Sequence, residues 1–114
     1  MNSVWKKTLD RELARSGRSA APLAAVMADL DHFKRINDTY GHAAGDAVLC
    51  EVARRMKATT RVYDFVGRFG GEEFLILLPG CNSLQAAKMA ERLRLAVAST
   101  PMETPEYKIG VTLS

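Results

Sequence analysis

Long apolar runs are missing from this chain. No stretch approaches the ~20 residues of a membrane span, and the N-terminus carries no apolar signal segment. The segment is therefore expected to make no membrane contact and to work in the cytoplasm. Cysteine is scarce: Cys50 falls in a helical pattern and Cys81 in a turn, without metal-binding spacing. Both read as free thiols of a reducing compartment, with disulfide pairing as the alternative. Aromatics are few (four Phe, three Tyr and one Trp), and none forms a stacking array with the basic runs. The net charge of +3 is modest, and the basic residues of Lys6–Arg18, Arg54–Lys57 and Arg92–Arg94 fall mostly at helical spacing. Solvated helix faces explain most of them. A nucleic-acid-binding module is the second class to weigh, since a basic chain can contact phosphates. It has little else in its favour, and no nucleic-acid partner is expected. There is no internal repeat or low-complexity tract, and 114 residues with 47% hydrophobic content suit one small domain with its own core.

What is present is acidic and local. Arg68-Phe69-Gly70-Gly71-Glu72-Glu73-Phe74 lies between two apolar runs, Val62–Val66 and Phe74–Leu78. The pattern predicts a β-hairpin, with Gly70-Gly71 supplying positive φ at a tight turn. A hairpin tip does not need Glu72 and Glu73. Adjacent residues point to opposite faces, so one carboxylate faces the strand pairing and the other projects beside the turn. Such a pair suits a hard cation, with room for a phosphate to approach the backbone. A solvated acidic turn is the plain alternative.

A second acidic cluster closes the apolar run Ala24–Ala28, which has the pattern of a strand buried on both faces. Asp29 and Asp31 emerge on one side of that strand's end. Burying an unpaired carboxylate costs several kcal/mol, so aspartates in this place call for a cation or donors. Asp31 could equally cap the helix that follows.

Between the clusters lies Asn37-Asp38-Thr39-Tyr40-Gly41-His42-Ala43-Ala44-Gly45-Asp46. Gly41 and Gly45 are expected to break the chain around His42. Asp46 is expected to open an amphipathic helix with Val48, Leu49, Val52, Ala53 and Met56 on one face. An amide at 37 and a carboxylate at 46 can read a base edge, because guanine presents N1–H and N2–H₂ donors that a carboxylate accepts together. Taken singly, Asp46 reads as a helix N-cap and His42 as a loop histidine.

Asp29-x-Asp31-x-Phe33-Lys34-x-x-Asn37-Asp38-x-x-Gly41-His42-x-x-Gly45-Asp46, followed by Arg61-x-x-Asp64 and Gly70-Gly71-Glu72-Glu73-Phe74, resembles the GGDEF domain of diguanylate cyclases. The likeness runs from about Leu23 to the last residue. It implies an α/β (α+β) fold related to nucleotidyl cyclases and polymerase palms, with a mainly antiparallel sheet flanked by helices. The residues read independently agree. They predict helices over Val4–Arg15, Asp46–Thr59 and Ser83–Ala98, strands at Leu23–Leu30 and Tyr107–Leu113, and the hairpin, a ferredoxin-like βαββαβ order. Pro79-Gly80 stops the hairpin, Asn82 or Ser83 caps the next helix, and Leu84, Ala87, Ala90, Leu93 and Val97 form its apolar face.

The resemblance also implies an activity: condensation of two GTP into cyclic di-GMP with release of pyrophosphate, by a homodimer holding one GTP per subunit. Asp29, the backbone carbonyl of Leu30 and Glu72 would bind two Mg²⁺ per site, or Mn²⁺ in their place, with Glu73 a further ligand candidate. Glu72 would also accept the 3′-hydroxyl proton. Lys34 would contact phosphate, aided by the backbone amides of His32, Phe33 and Lys34 at a helix start. Asn37 and Asp46 would read guanine, with His42 nearby. Arg61-x-x-Asp64 matches the family's product-inhibition site, which Arg92 would complete, whereas residue types alone allow an ordinary salt bridge.

The family's usual opening Asp-x-Leu-Thr-x-Leu-x-Asn-Arg segment is missing, and so is the helix that follows the strand ending at Leu113. The expectation is an interior portion of a domain, located in the cytoplasm by itself or as the cytoplasmic part of a larger sensor protein. A truncated or degenerate domain that binds GTP or cyclic di-GMP without turnover is the alternative function.

Overall fold

The computed structural model describes residues 3–114, with side chains from Lys6 onward. The chain runs α1 (Ser3–Ser19), β1 (Leu23–Asp29), α2 (Phe33–Tyr40), α3 (His42–Thr59), β2 (Phe65–Arg68), β3 (Glu73–Pro79), α4 (Ser83–Ala98), β4 (Met102–Glu103) and β5 (Lys108–Ile109). The first three strands form an antiparallel sheet in the order β1-β3-β2. Leu113 adds an antiparallel bridge to Leu30 on the outer side of β1, so the ferredoxin-like order is preserved. No helix among the described residues is long and apolar enough to cross a membrane.

β3 is central, and its sequence shows why. Phe74, Ile76 and Leu78 face one side with α3 and α4, packed on Val48, Leu49, Val52, Met56, Met89, Leu93 and Val97. Leu75 and Leu77 face the other, beside Leu9 of α1, Phe65 and Phe69. A strand buried on both faces reads as an unbroken apolar run, and Phe74–Leu78 is that run. β1 is not: Ala25 and Met27 are exposed, so its apolar run reflects small residues and a single packed face.

Several element boundaries differ from expectation. α3 begins at His42 rather than Asp46, because Gly41, at φ +92°, turns the chain and serves as the helix N-cap. Gly45 is no break; it lies inside the helix and is buried. β2 begins at Phe65 rather than Val62, because residues 61–64 form a turn, closed by the Asp64 amide on the Arg61 carbonyl at 3.0 Å. Val62, fully exposed, is no strand residue. Gly70 and Gly71 do not take positive φ; the turn is closed instead by the amides of Phe69 and Gly70, both donating to the Glu73 carbonyl. The strand expected over Tyr107–Leu113 is interrupted: Lys108–Ile109 pairs back on Met102–Glu103, and only residues 112–114 pair along the end of β1. α4 matches Ser83–Ala98, with a capping box of Asn82 and Gln85. Its buried face carries Ala86, Met89, Leu93 and Val97, leaving Leu84 and Ala87 exposed. Cys50 is exposed and Cys81 buried, and both are free.

Candidate functional site

The antiparallel register brings the two acidic segments to one edge. Asp29, the last residue of β1, stands directly opposite Glu73, the first of β3. Such opposed residues hold their Cβ atoms about 5 Å apart. Glu72 precedes Glu73 by one residue, and its carbonyl accepts the Leu30 amide at 3.2 Å. Asp29, Leu30, Glu72 and Glu73 therefore meet where the hairpin closes on the end of β1. Phe74, the residue after Glu73, is fully buried in the core. Its truncation to alanine would cost about 3–5 kcal/mol. The Glu73 carboxylate leans over the turn, close enough that a Cβ on Gly70 would lie 3.1 Å from Oε1.

Asp31 has a different task from the cap first considered. Its carboxylate accepts the Thr112 hydroxyl at 2.7 Å and the Ser114 hydroxyl at 2.6 Å. Those two donors, Ser114 first, hold its pKa below the ordinary carboxylate value. The same segment pairs through its backbone, with the Asp29 and Ser114 amides each donating to the other's carbonyl at 2.9 Å. Asp31 thus fastens the last residues to β1, a role with no local sequence signal because its partners lie 81 and 83 positions away.

α2 starts immediately beyond. His32, its N-cap, is exposed and held at φ +59°, a left-handed conformation uncommon for a residue with a side chain. Phe33 is buried, so its ring belongs to the core and only its amide is left to meet a ligand. Lys34 is exposed in the first turn and forms no ion pair among the described residues. Further along, α2 packs against α3. There the Asn37 Oδ1 is buried without a hydrogen-bond partner, beside the buried Gly45. Asp46, the next residue, is exposed in the second turn of α3, where an N-cap role is impossible. His42 is exposed at the first position of the same helix.

A second corner gathers the remaining predicted residues. Arg61 donates to both oxygens of Asp64, from Nε at 3.0 Å to each and from Nη2 to Oδ1 at 2.6 Å. Its Nη2 also reaches the Pro79 carbonyl at 2.9 Å, and its guanidinium lies 4.5 Å from the Tyr63 ring centroid. The Asp64 side chain is fully buried. Hydrogen bonding to Asp64 raises the Arg61 pKa further above its already high value. Arg92, on α4, reaches the carbonyl of Thr59, the last residue of α3, at 3.5 Å. Tyr63 was not foreseen. An aromatic two residues after an arginine in a turn is the signal that could have found it.

The donor chemistry can be tested against a metal. Among the described residues, no three His, Cys, Asp or Glu side chains converge into a ready-made cage. Carboxylates at one sheet edge, without such a cage, fit Mg²⁺, which keeps several waters and is held by one or two carboxylates together with substrate phosphates. They do not fit a structural zinc.

A mainly antiparallel sheet with helices packed around it, and carboxylates closing adjacent strand ends, defines the nucleotidyl cyclase palm class. The particular family follows from comparison: the description "Diguanylate cyclase, GGDEF domain" matches residues 2–114, and the chain belongs to that family. It is 42% identical over 112 residues to diguanylate cyclase DgcP of Pseudomonas aeruginosa, covering 98% of this chain and 17% of that protein. The chain spans between 17% and 27% of the length of the first curated relatives it matches. Its fold is similar to the active GGEEF domain of a diguanylate cyclase from Vibrio cholerae, at TM-score 0.82 and 37% identity, covering 90% of this chain and 65% of that one. It is also similar to the GGDEF domain of DgcB from Caulobacter crescentus in complex with c-di-GMP, at TM-score 0.87 and 30% identity, covering 96% of this chain and 66% of that one.

Proposed function

We propose that this chain is the catalytic domain of a diguanylate cyclase that binds GTP and, as a homodimer, condenses two GTP into cyclic di-GMP. The observation that carries the reading is the buried, unpartnered Asn37 Oδ1 against Gly45, the residue before Asp46. A buried acceptor without a donor costs about 1–3 kcal/mol, which a ligand N–H recovers. Guanine offers N1–H and N2–H₂ on its Watson–Crick edge. Asp46, which cannot cap its helix, accepts from the same edge.

Lys34 and the first amides of α2 face the triphosphate in this reading, where positive charge and free N–H groups stabilise developing negative charge. Asp29 and Glu72, with the Leu30 carbonyl, hold Mg²⁺, and Glu73 is a further ligand candidate. Bound there, the metal neutralises the triphosphate and favours both the attacking and the leaving oxygen. Each subunit's 3′-hydroxyl attacks the α-phosphate of the partner's GTP, a new phosphodiester bond forms at each, and two pyrophosphates leave. Glu72 takes the 3′-hydroxyl proton. The Glu72-Glu73 form of the turn matches the GGEEF domain described as active. The Arg61 corner, with Asp64 and Arg92, binds the cyclic product and lowers turnover; the likeness to a domain solved with c-di-GMP supports that reading.

The test is direct. Full-length protein incubated with GTP and Mg²⁺ should release pyrophosphate and form cyclic di-GMP, at a rate that rises with more than the first power of protein concentration while dimerisation is incomplete. ATP should give no dinucleotide. Tight GTP binding without any product would leave a binding domain and overturn the catalytic reading.

A further inference from the structure

Gly45 sits at the third helical position after His42, buried, in a helix that would be better served by alanine. Glycine inside a helix costs about 1 kcal/mol against alanine, so it needs a packing reason. The reason is visible: a Cβ on Gly45 would overlap Asn37 Oδ1 outright, and would also stand 3.4 Å from Phe33 Cζ. The Asn37 carboxamide occupies the volume where a side chain at 45 would be. It does so with Oδ1 buried and unpartnered, so the placement gains no protein hydrogen bond.

We propose that Gly45 is a positioning residue for base selection: its missing side chain lets α3 receive the Asn37 carboxamide, holding an empty acceptor next to Asp46. The inference rests on the guanine-binding reading given above and assigns Gly45 a part in it. Adenine presents an acceptor at N1 where guanine presents a donor, so a fixed acceptor at Asn37 discriminates between them. Fixing it in advance matters because a carboxamide free to rotate would expose its N–H₂ to the same edge and lose the distinction.

The alternative is that Gly45 only admits the Phe33 ring. A double-mutant cycle in the full-length protein separates the two. Binding is read by calorimetry with non-reactive α,β-methylene analogues of GTP and ATP, using wild type, Gly45→Ala, Asn37→Ala and the double variant. The expected result is a folded Gly45→Ala whose affinity for the GTP analogue falls roughly tenfold, with that for the ATP analogue little changed. In the Asn37→Ala background the extra methyl should add nothing. Additive losses, or an undiminished preference for GTP in Gly45→Ala while Asn37→Ala loses it, would overturn the proposal. If Gly45→Ala fails to fold, recovery of folding in the double variant still assigns the clash to Asn37, whereas failure of both assigns it elsewhere. The Asn37 side-chain amide resonances in nucleotide-free protein keep the two readings distinguishable. Their displacement by Gly45→Ala upholds the positioning even if Asn37→Ala leaves base preference intact and guanine recognition fails, and unmoved resonances reject it.

Discussion

Asp46 shows how a residue changes meaning between sequence and structure. In sequence it stands where a helix start is expected, and an N-cap explains it fully. In the fold Gly41 takes the cap, at φ +92°, and Asp46 is left exposed in the second turn of the helix, where it cannot cap. The sequence could not reveal this, because a glycine and an aspartate five positions apart both satisfy start rules and only the backbone decides between them. Asp31 moved the other way, from site residue or cap to a structural fastener for Thr112 and Ser114. At this scale the prediction concerns the base. Asp46→Ala should weaken GTP binding by about 1–3 kcal/mol and ATP binding far less, as loss of a base-edge contact requires. Calorimetric titration of both nucleotides checks it, and an equal loss for the two would remove Asp46 from base recognition.

Elements were legible where pattern and packing agree. The α4 boundaries follow from Asn82 and the Gln85 capping box, and the hairpin follows from the doubly buried run of β3. They were illegible where long-range contacts decide. Arg61-Val62-Tyr63-Asp64 has strand-like residues, yet an arginine fork locks it as a turn. The end of α4 depends on α3 in the same way. Arg55, mostly buried, donates to the Val97 carbonyl at 2.8 Å and the Thr100 carbonyl at 2.9 Å, and is oriented by Glu51 at 2.9 Å. Hydrogen bonds from Arg54 and Arg55 lower the Glu51 pKa to about 2. The folded state therefore binds this proton less readily than the unfolded chain, whose value is about 4.3. The stability Glu51 contributes is full above that value and drains as pH falls toward 2. Urea midpoints measured at about pH 5 and near pH 2.5 should show a smaller acid-induced loss in Glu51→Gln than in wild type. An identical loss would mean that the Glu51–Arg55 contact does not stabilise the helix pair.

Across the whole molecule two corners are assembled from distant segments. The carboxylate edge joins β1 to the turn before β3, and the arginine corner joins the turn before β2 to Pro79 at the end of β3. Order and spacing of the motifs made both recognisable in sequence, but their state was not. Arg61 already serves as partner to a buried Asp64, so a ligand binding there must share or displace that pair. Arg61→Lys keeps the positive charge beside Asp64 and loses the fork. It should cut cyclic di-GMP affinity at least tenfold with the fold retained, as read by calorimetry and circular dichroism. Unchanged affinity would reduce Arg61-x-x-Asp64 to a lock on its own turn. The central claim, a GTP condensation supported by carboxylates at the sheet edge, is tested most directly by Asp29→Asn and Glu72→Gln in the full-length protein. Each keeps shape and removes a carboxylate charge, so Mg²⁺-dependent formation of cyclic di-GMP should be lost while the thermal midpoint stays near that of wild type. Near-normal turnover in either variant would contradict the account.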